Sequence, residues 1–140
     1  MNHLQSLLQD GLISTSHVEH AAIIRRKDSS LRASSVGFML DPEELSCIVK
    51  FFREPTLLRS EGFHLTSTNQ EYHCLRSDKN SIYARVEGGN EGGVIIVKTN
   101  TLVIIATYAN NMYPSICVEA VENLADYFRD KAKWWSWSVI

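Results

Sequence analysis

No apolar run in this 140-residue chain approaches the roughly 18 consecutive positions of a membrane-spanning helix; the longest, Leu102 to Ala106, is the length of a strand. Cysteine is scarce. Cys47, Cys74 and Cys117 are odd in number and form no C-x-x-C pair, which points to free thiols in a reducing compartment, the cytosol. An excess of one charge is missing too: 14 basic residues stand against 16 acidic ones, for a formal net charge of −2. That balance gives no whole-chain preference for nucleic acid, so an anionic partner has to be held by a local patch. Met1 to Gln5 contain no basic stretch leading into an apolar segment, and no secretory signal is expected. There is no internal repeat and no linker. What is present, 44% hydrophobic and 21% charged residues, is the composition of one compact globular domain.

The periodicity predicts a mixed fold. Leu4, Leu7, Leu8 and Leu12 recur at helical spacing over residues 3–12. His20 to Lys27 has an apolar centre closing on three cations and predicts a strand; Asp28-Ser29-Ser30 is turn chemistry, and Leu31 to Ser34 is the return strand. Asp41-Pro42-Glu43-Glu44 is a helix start, with Asp41 as cap, Pro42 in the first turn and Glu44 completing a capping box. Leu45, Ile48, Val49 and Phe52 form the buried stripe, and Pro55 stops the helix. From Gly62 onward the pattern is that of strands: Phe63 to Leu65, Glu71 to Arg76, Ser81 to Val86, then a central hairpin of Val94 to Lys98 and Leu102 to Tyr108. A last helix opens near Pro114 with the stripe Cys117, Val121, Leu124, Ala125 and Phe128. The fold class is α+β, helices on an antiparallel sheet.

Chemistry-bearing groups are few. The loop Gly88 to Gly93 has the glycines of a phosphate cradle, but a β-branched strand follows where such a cradle needs a helix amino end, so it reads as a hairpin loop. Cys117 with His64 or His73 is the one thiol–imidazole pairing available; Cys117 lies on an apolar stripe, where cysteine acts as a small hydrophobe. His17 and His20 are three apart without further ligands, so no metal site is expected. Arg25-Arg26-Lys27 is the densest basic run, with Arg32 on the return strand. It is either a solvated strand end or a patch for anionic lipid headgroups, to which Arg76, Arg85 and Lys98 add if the sheet gathers them. The tail from Lys131 to Ile140 sets Trp134, Trp135 and Trp137 beside lysines, a pattern of membrane interfaces or of an extension folded over apolar surface.

Five strings in order resemble the profilin family: Ala21 to Ile24 with Lys27-Asp28-Ser29; Pro42 to Lys50 through Phe52 to Pro55; Leu58 with Gly62 to Leu65; Gly92 to Thr99; and Leu124 to Phe128. The likeness covers residues 1–130, read as one domain, with 131–140 as a tryptophan-rich extension. His3 to Leu8 and Met112 to Ala120 resemble most the divergent fourth, testis-type branch. The resemblance implies a non-enzymatic regulator of the actin cytoskeleton in the cytoplasm. Its sheet would carry the N- and C-terminal helices on one face and shorter helices on the other.

The resemblance also assigns sites. Profilins hold proline-rich ligands by stacking rings on a pre-extended polyproline helix. Here the matching positions are His3, Ser6, Arg32 and Tyr127, of which only Tyr127 keeps a large ring, so no polyproline ligand is expected. The actin-facing positions are Arg85, Lys98, Ser115 and Val118; Ser115 replaces a glycine and Val118 an asparagine, so weak or absent binding of monomeric actin is expected. Acidic phospholipids, phosphoinositides above all, are assigned to Arg25, Arg26, Lys27, Arg32, Arg85, Lys98 and Arg129. Arg32 removes a stacking ring and adds a cation in one change. The expected chain is a monomer without metal or cofactor, with actin as its second candidate partner. A conventional actin-monomer-binding profilin and a small cysteine enzyme are the competing readings.

Overall fold

Seven strands lie in one antiparallel sheet, ordered β2-β1-β7-β6-β5-β4-β3. They are β1 His20–Arg25, β2 Leu31–Ser34, β3 Phe63–Leu65, β4 Gln70–Ser77, β5 Ser81–Val86, β6 Gly93–Lys98 and β7 Leu102–Tyr108. Among the described residues four α-helices accompany them: α1 His3–Gly11, α2 Pro42–Lys50, α3 Pro55–Glu61 and α4 Pro114–Ser138. This computed structural model of the protein describes residues 3–88 and 92–138, with side chains left out at Leu57 and from 132 onward. The middle of the Gly88 to Gly93 loop and the side chains of Trp134, Trp135 and Trp137 fall outside the described residues.

The central strands are apolar at nearly every position because both faces of the sheet are covered. On β1, Ala22 and Ile24 face one core with Val94, Ile96, Val103 and Ile105, closed by Leu45, Ile48 and Val49 of α2 and Leu58 of α3. Ala21 and Ile23 face the other core with Ile95, Val97, Ile104 and Ala106, closed by Leu8 of α1 and by Cys117, Val121, Leu124 and Ala125 of α4. Each fully buried aliphatic side chain contributes on the order of 1.5–3 kcal/mol, so these two layers dominate the stability. Phe128, the last residue of the α4 stripe, is half-buried and packs on the rim of the second core.

Pro55 does not end a helix. α2 stops at Lys50, a turn runs to Arg53, and Pro55 sits in the first turn of α3 with Glu54 as its cap residue. Proline suits that place because an initial helical residue has no partner for its N–H anyway. The Asp41 capping box is present: Asp41 accepts from the Glu44 N–H at 2.9 Å, and Glu44 also accepts from the Thr66 N–H at 2.8 Å, fastening α2 to the turn after β3. Between α3 and β3, Gly62 holds a φ of +68°, and a Cβ there would stand 2.2 Å from the Tyr72 carbonyl oxygen. Only glycine fits that left-handed turn against a neighbouring backbone.

Candidate functional site

The predicted basic run becomes a site through strand pairing. β1 and β6 flank β7, with Arg25 opposite Leu102 and Lys98 opposite Val103. The cations at the ends of β1 and β6 therefore meet around the tight turn joining β6 to β7. α2 and the turn after it supply the floor. Together these elements enclose a groove of about 450 Å³ lined by Arg25, Arg26, Lys27, Arg53 and Lys98 over Val49 and Phe52.

The charges are held in place but poorly matched. Arg26 donates to the carbonyls of Thr99 and Asn100 at 2.8 and 3.0 Å, neutral acceptors that fix its guanidinium without cancelling its charge. Lys98 lays its ammonium over the Phe52 ring, 5.4 Å from the centroid. Burial first, then the positive charges of Arg26 and Lys79, draw the Lys98 amine below its ordinary value. Burial disfavours the charged amine, and the neighbouring cations add to that effect. Arg25 alone is matched, by Asp28 at 2.5 Å, and the charge-assisted hydrogen bond holds the Asp28 carboxyl well below the usual carboxylate range. Among the described residues no ion pair involves Lys27, Arg53 or Lys98.

The other lipid candidates fall elsewhere. Arg129 reaches the same pole from α4 and donates to the Lys98 carbonyl at 2.8 Å, but its charge is paired with Asp126 at 2.8 Å. Arg32 is exposed on the edge strand β2, at the shift in β1–β2 register, and does not line the groove. Arg85 lies opposite Gly93, five residues up β6 from Lys98, a separation of about 16 Å at the rise of a strand. Its neighbours Ala84 and Val86 face the core under α2, so strand alternation turns Arg85 to the other face, and it lies at the other end of the sheet. Arg53 was not among the sequence candidates. Its signal was a cation just past the apolar stripe of α2, meaningful only once that helix end is set beside β6.

The four actin-facing candidates do not gather either. Arg85 lies on the α4 side of the sheet, as do Ser115, exposed in the first turn of α4, and the half-buried Val118. Lys98 points across the sheet to Phe52. Of the polyproline positions, His3 opens α1, exposed, and Ser6 is half-buried one turn on. Tyr127 meets Phe128 edge-on at 5.7 Å and carries the Lys131 ammonium 5.6 Å above its ring. The trough between α1 and α4, about 490 Å³, is lined by Leu7, Ile116 and Leu124 with Asp10 and Glu119, and among the described residues Tyr127 is the only ring in its lining.

The remaining groups are structural. Cys117 is buried, and burial pushes its thiol up to about 12, the reverse of an activated nucleophile. His17 accepts the Tyr113 N–H at its Nδ1, 2.9 Å away, and His20 stacks on Phe38 at 5.4 Å. Among the described residues no cluster of ligands suited to a metal ion is present, and no helix is long and apolar enough to cross a membrane.

Comparison with known proteins agrees with this architecture. The profilin family model matches residues 2–133. Profilin-4 of Bos taurus is 43% identical over 132 residues, 94% of this chain and 98% of the bovine one, and Profilin-4 of Mus musculus is 42% identical over the same length. The crystal structure of Acanthamoeba castellanii profilin II superposes with a TM-score of 0.81 at 33% identity, covering 91% of this chain and 98% of the other.

Proposed function

We propose, starting from the fact that the chain belongs to the profilin family, that this profilin acts at acidic phospholipid surfaces. Its cationic groove takes phosphoinositide headgroups, while its hold on monomeric actin is weak or absent and its hold on polyproline is lost. As a profilin it is a non-enzymatic, actin-regulating protein. The observation that carries the finer reading is the groove itself: five cations around one concavity, with Asp28, among the described residues, the one carboxylate paired to them. A headgroup bearing several phosphates gains about 1 kcal/mol for each cation it meets near a membrane surface, without demanding close shape complementarity. Asn100 and Thr101 at the rim add hydrogen-bonding groups, and Val49 and Phe52 add an apolar floor.

The losses have a physical basis as well. A polyproline helix is held by several flat rings in a row, and the trough between α1 and α4 offers Tyr127 together with two carboxylates. The actin-facing candidates are divided between the two faces of the sheet, so no one flat partner surface meets all four.

Three cations can be removed without touching the turn that Arg26 braces or the pair that Arg25 makes. Lys27→Gln, Arg53→Gln and Lys98→Gln together should weaken co-sedimentation with phosphatidylcholine vesicles containing phosphatidylinositol bisphosphate by about a hundredfold, at roughly 1 kcal/mol per cation. Binding of the parent should also fall as salt rises. Undiminished binding by the triple variant would assign the lipid site elsewhere.

A further inference from the structure

The hairpin bordering the groove carries a feature that headgroup recognition does not use. Its basic run leads directly into Arg26-Lys27-Asp28-Ser29, so that Ser29 has an arginine three positions before it and a lysine two before it. Two cations at that spacing are what the acidic substrate cleft of a basophilic serine kinase binds by charge. The hairpin that joins β1 to β2 presents the acceptor at its tip. We propose that Ser29 is a phosphorylation site and that its phosphate discharges the lipid groove; this deepens the reading of the groove as a phosphoinositide site and rests on it.

Local geometry selects Ser29 over its neighbour. The Ser30 hydroxyl donates to Asp28 at 2.7 Å, and the Ser30 N–H donates to the same oxygen at 3.1 Å. The Ser29 hydroxyl makes no hydrogen bond among the described residues, and its backbone sits at a φ of 59°, the left-handed bend of the hairpin tip. Asp28 contacts and one backbone bond, from the Arg25 N–H to the Ser30 carbonyl at 2.9 Å, close the tip. Drawing it into a kinase cleft therefore opens these bonds and releases Arg26 from the Thr99 and Asn100 carbonyls, without disturbing the core.

The transfer is an ordinary one. The Ser29 oxygen attacks the γ-phosphorus of ATP, the new O–P bond forms as the bond to ADP breaks, and the hydroxyl proton passes to the kinase's base. The product carries about −1.5 to −2 charges at the hairpin tip, two positions after Lys27 and next to Asp28, which holds Arg25. Phosphate there adds negative charge beside Asp28, the partner of Arg25, at the border of the groove, and so lowers the attraction the basic run exerts on a headgroup.

The purified chain treated with ATP and the catalytic subunit of cyclic-AMP-dependent protein kinase should gain one phosphate, mapped to Ser29 by tandem mass spectrometry. Ser29→Ala should abolish incorporation and Ser30→Ala should preserve it. Ser29→Asn, which tolerates a left-handed backbone, provides a second non-acceptor should the alanine variant fold poorly. The phosphorylated chain should bind the bisphosphate-containing vesicles about tenfold more weakly than the unmodified chain, and phosphatase should restore binding. Phosphate incorporated elsewhere, or none in the folded chain, overturns the acceptor assignment. Unchanged vesicle binding by phospho-Ser29 overturns the switch while leaving the lipid site intact. Failure of the unmodified chain to bind sinks the lipid reading and the switch together, with the mapped phosphate still deciding whether Ser29 is an acceptor.

Discussion

A thiol inside the α1–α4 core gains nothing by ionising, and Cys117 makes that measurable. Its folded value, about 12, lies above the ordinary value of 9.0. Between those two values the folded chain keeps a proton that the unfolded chain has released. Stability is therefore full below about pH 8 and falls at higher pH by about 1.4 kcal/mol per unit for this one group. Urea denaturation followed from neutral to alkaline pH should show the decline, and Cys117→Ala should flatten it. In the native chain Cys47, which is exposed, should alkylate readily while Cys117 resists. Rapid, selective alkylation of Cys117 would revive a cysteine enzyme. The burial of Cys117 was legible from its place on a helical stripe. The membership of Arg53 in the groove was not, because a lone cation after a helix has no meaning until a neighbouring strand end is known.

Elements were read best where their ends carry chemistry of their own. The start of α2 is an example: Asp41, Pro42 and Glu44 each satisfy a different need of a helix end, and the capping box is formed as read. Asp41→Ala should cost about 1 kcal/mol in a denaturation midpoint, with the vesicle binding of the groove unchanged. An indifferent midpoint would mean that Glu44, through its bond to Thr66, holds this end unaided. α3 escaped notice because its seven residues are too few to display a helical period, and Pro55 reads equally as a stop or a start. The strands from β4 to β7 were recovered to within a residue or two, their turns marked by polar residues.

At the scale of the whole molecule, the division of labour between the two sheet faces carries the functional consequence. Proline-rich peptide beads should leave this chain in the flow-through, since among the described residues the trough between α1 and α4 sets one tyrosine beside carboxylates instead of a row of rings. Pyrene-actin polymerisation should be little affected at concentrations where the vesicles are saturated. Strong retention on the beads, or submicromolar sequestration of actin, would return the protein to conventional profilin behaviour. By itself the sequence determined the α+β class, the order of strands along the chain, the capping box of α2 and the likeness to profilins. All of these depend on local spacing and on neighbours a few positions apart. Tertiary structure alone decided which cations form a site. Arg25 and Lys98 are more than seventy positions apart yet meet because β1 and β6 both flank β7, whereas Arg85 and Lys98, close in sequence, end on opposite faces and at opposite ends of the sheet. A strand alternates its faces every residue and spends about 3.3 Å on each, so distance along the chain cannot report which charges will share a surface.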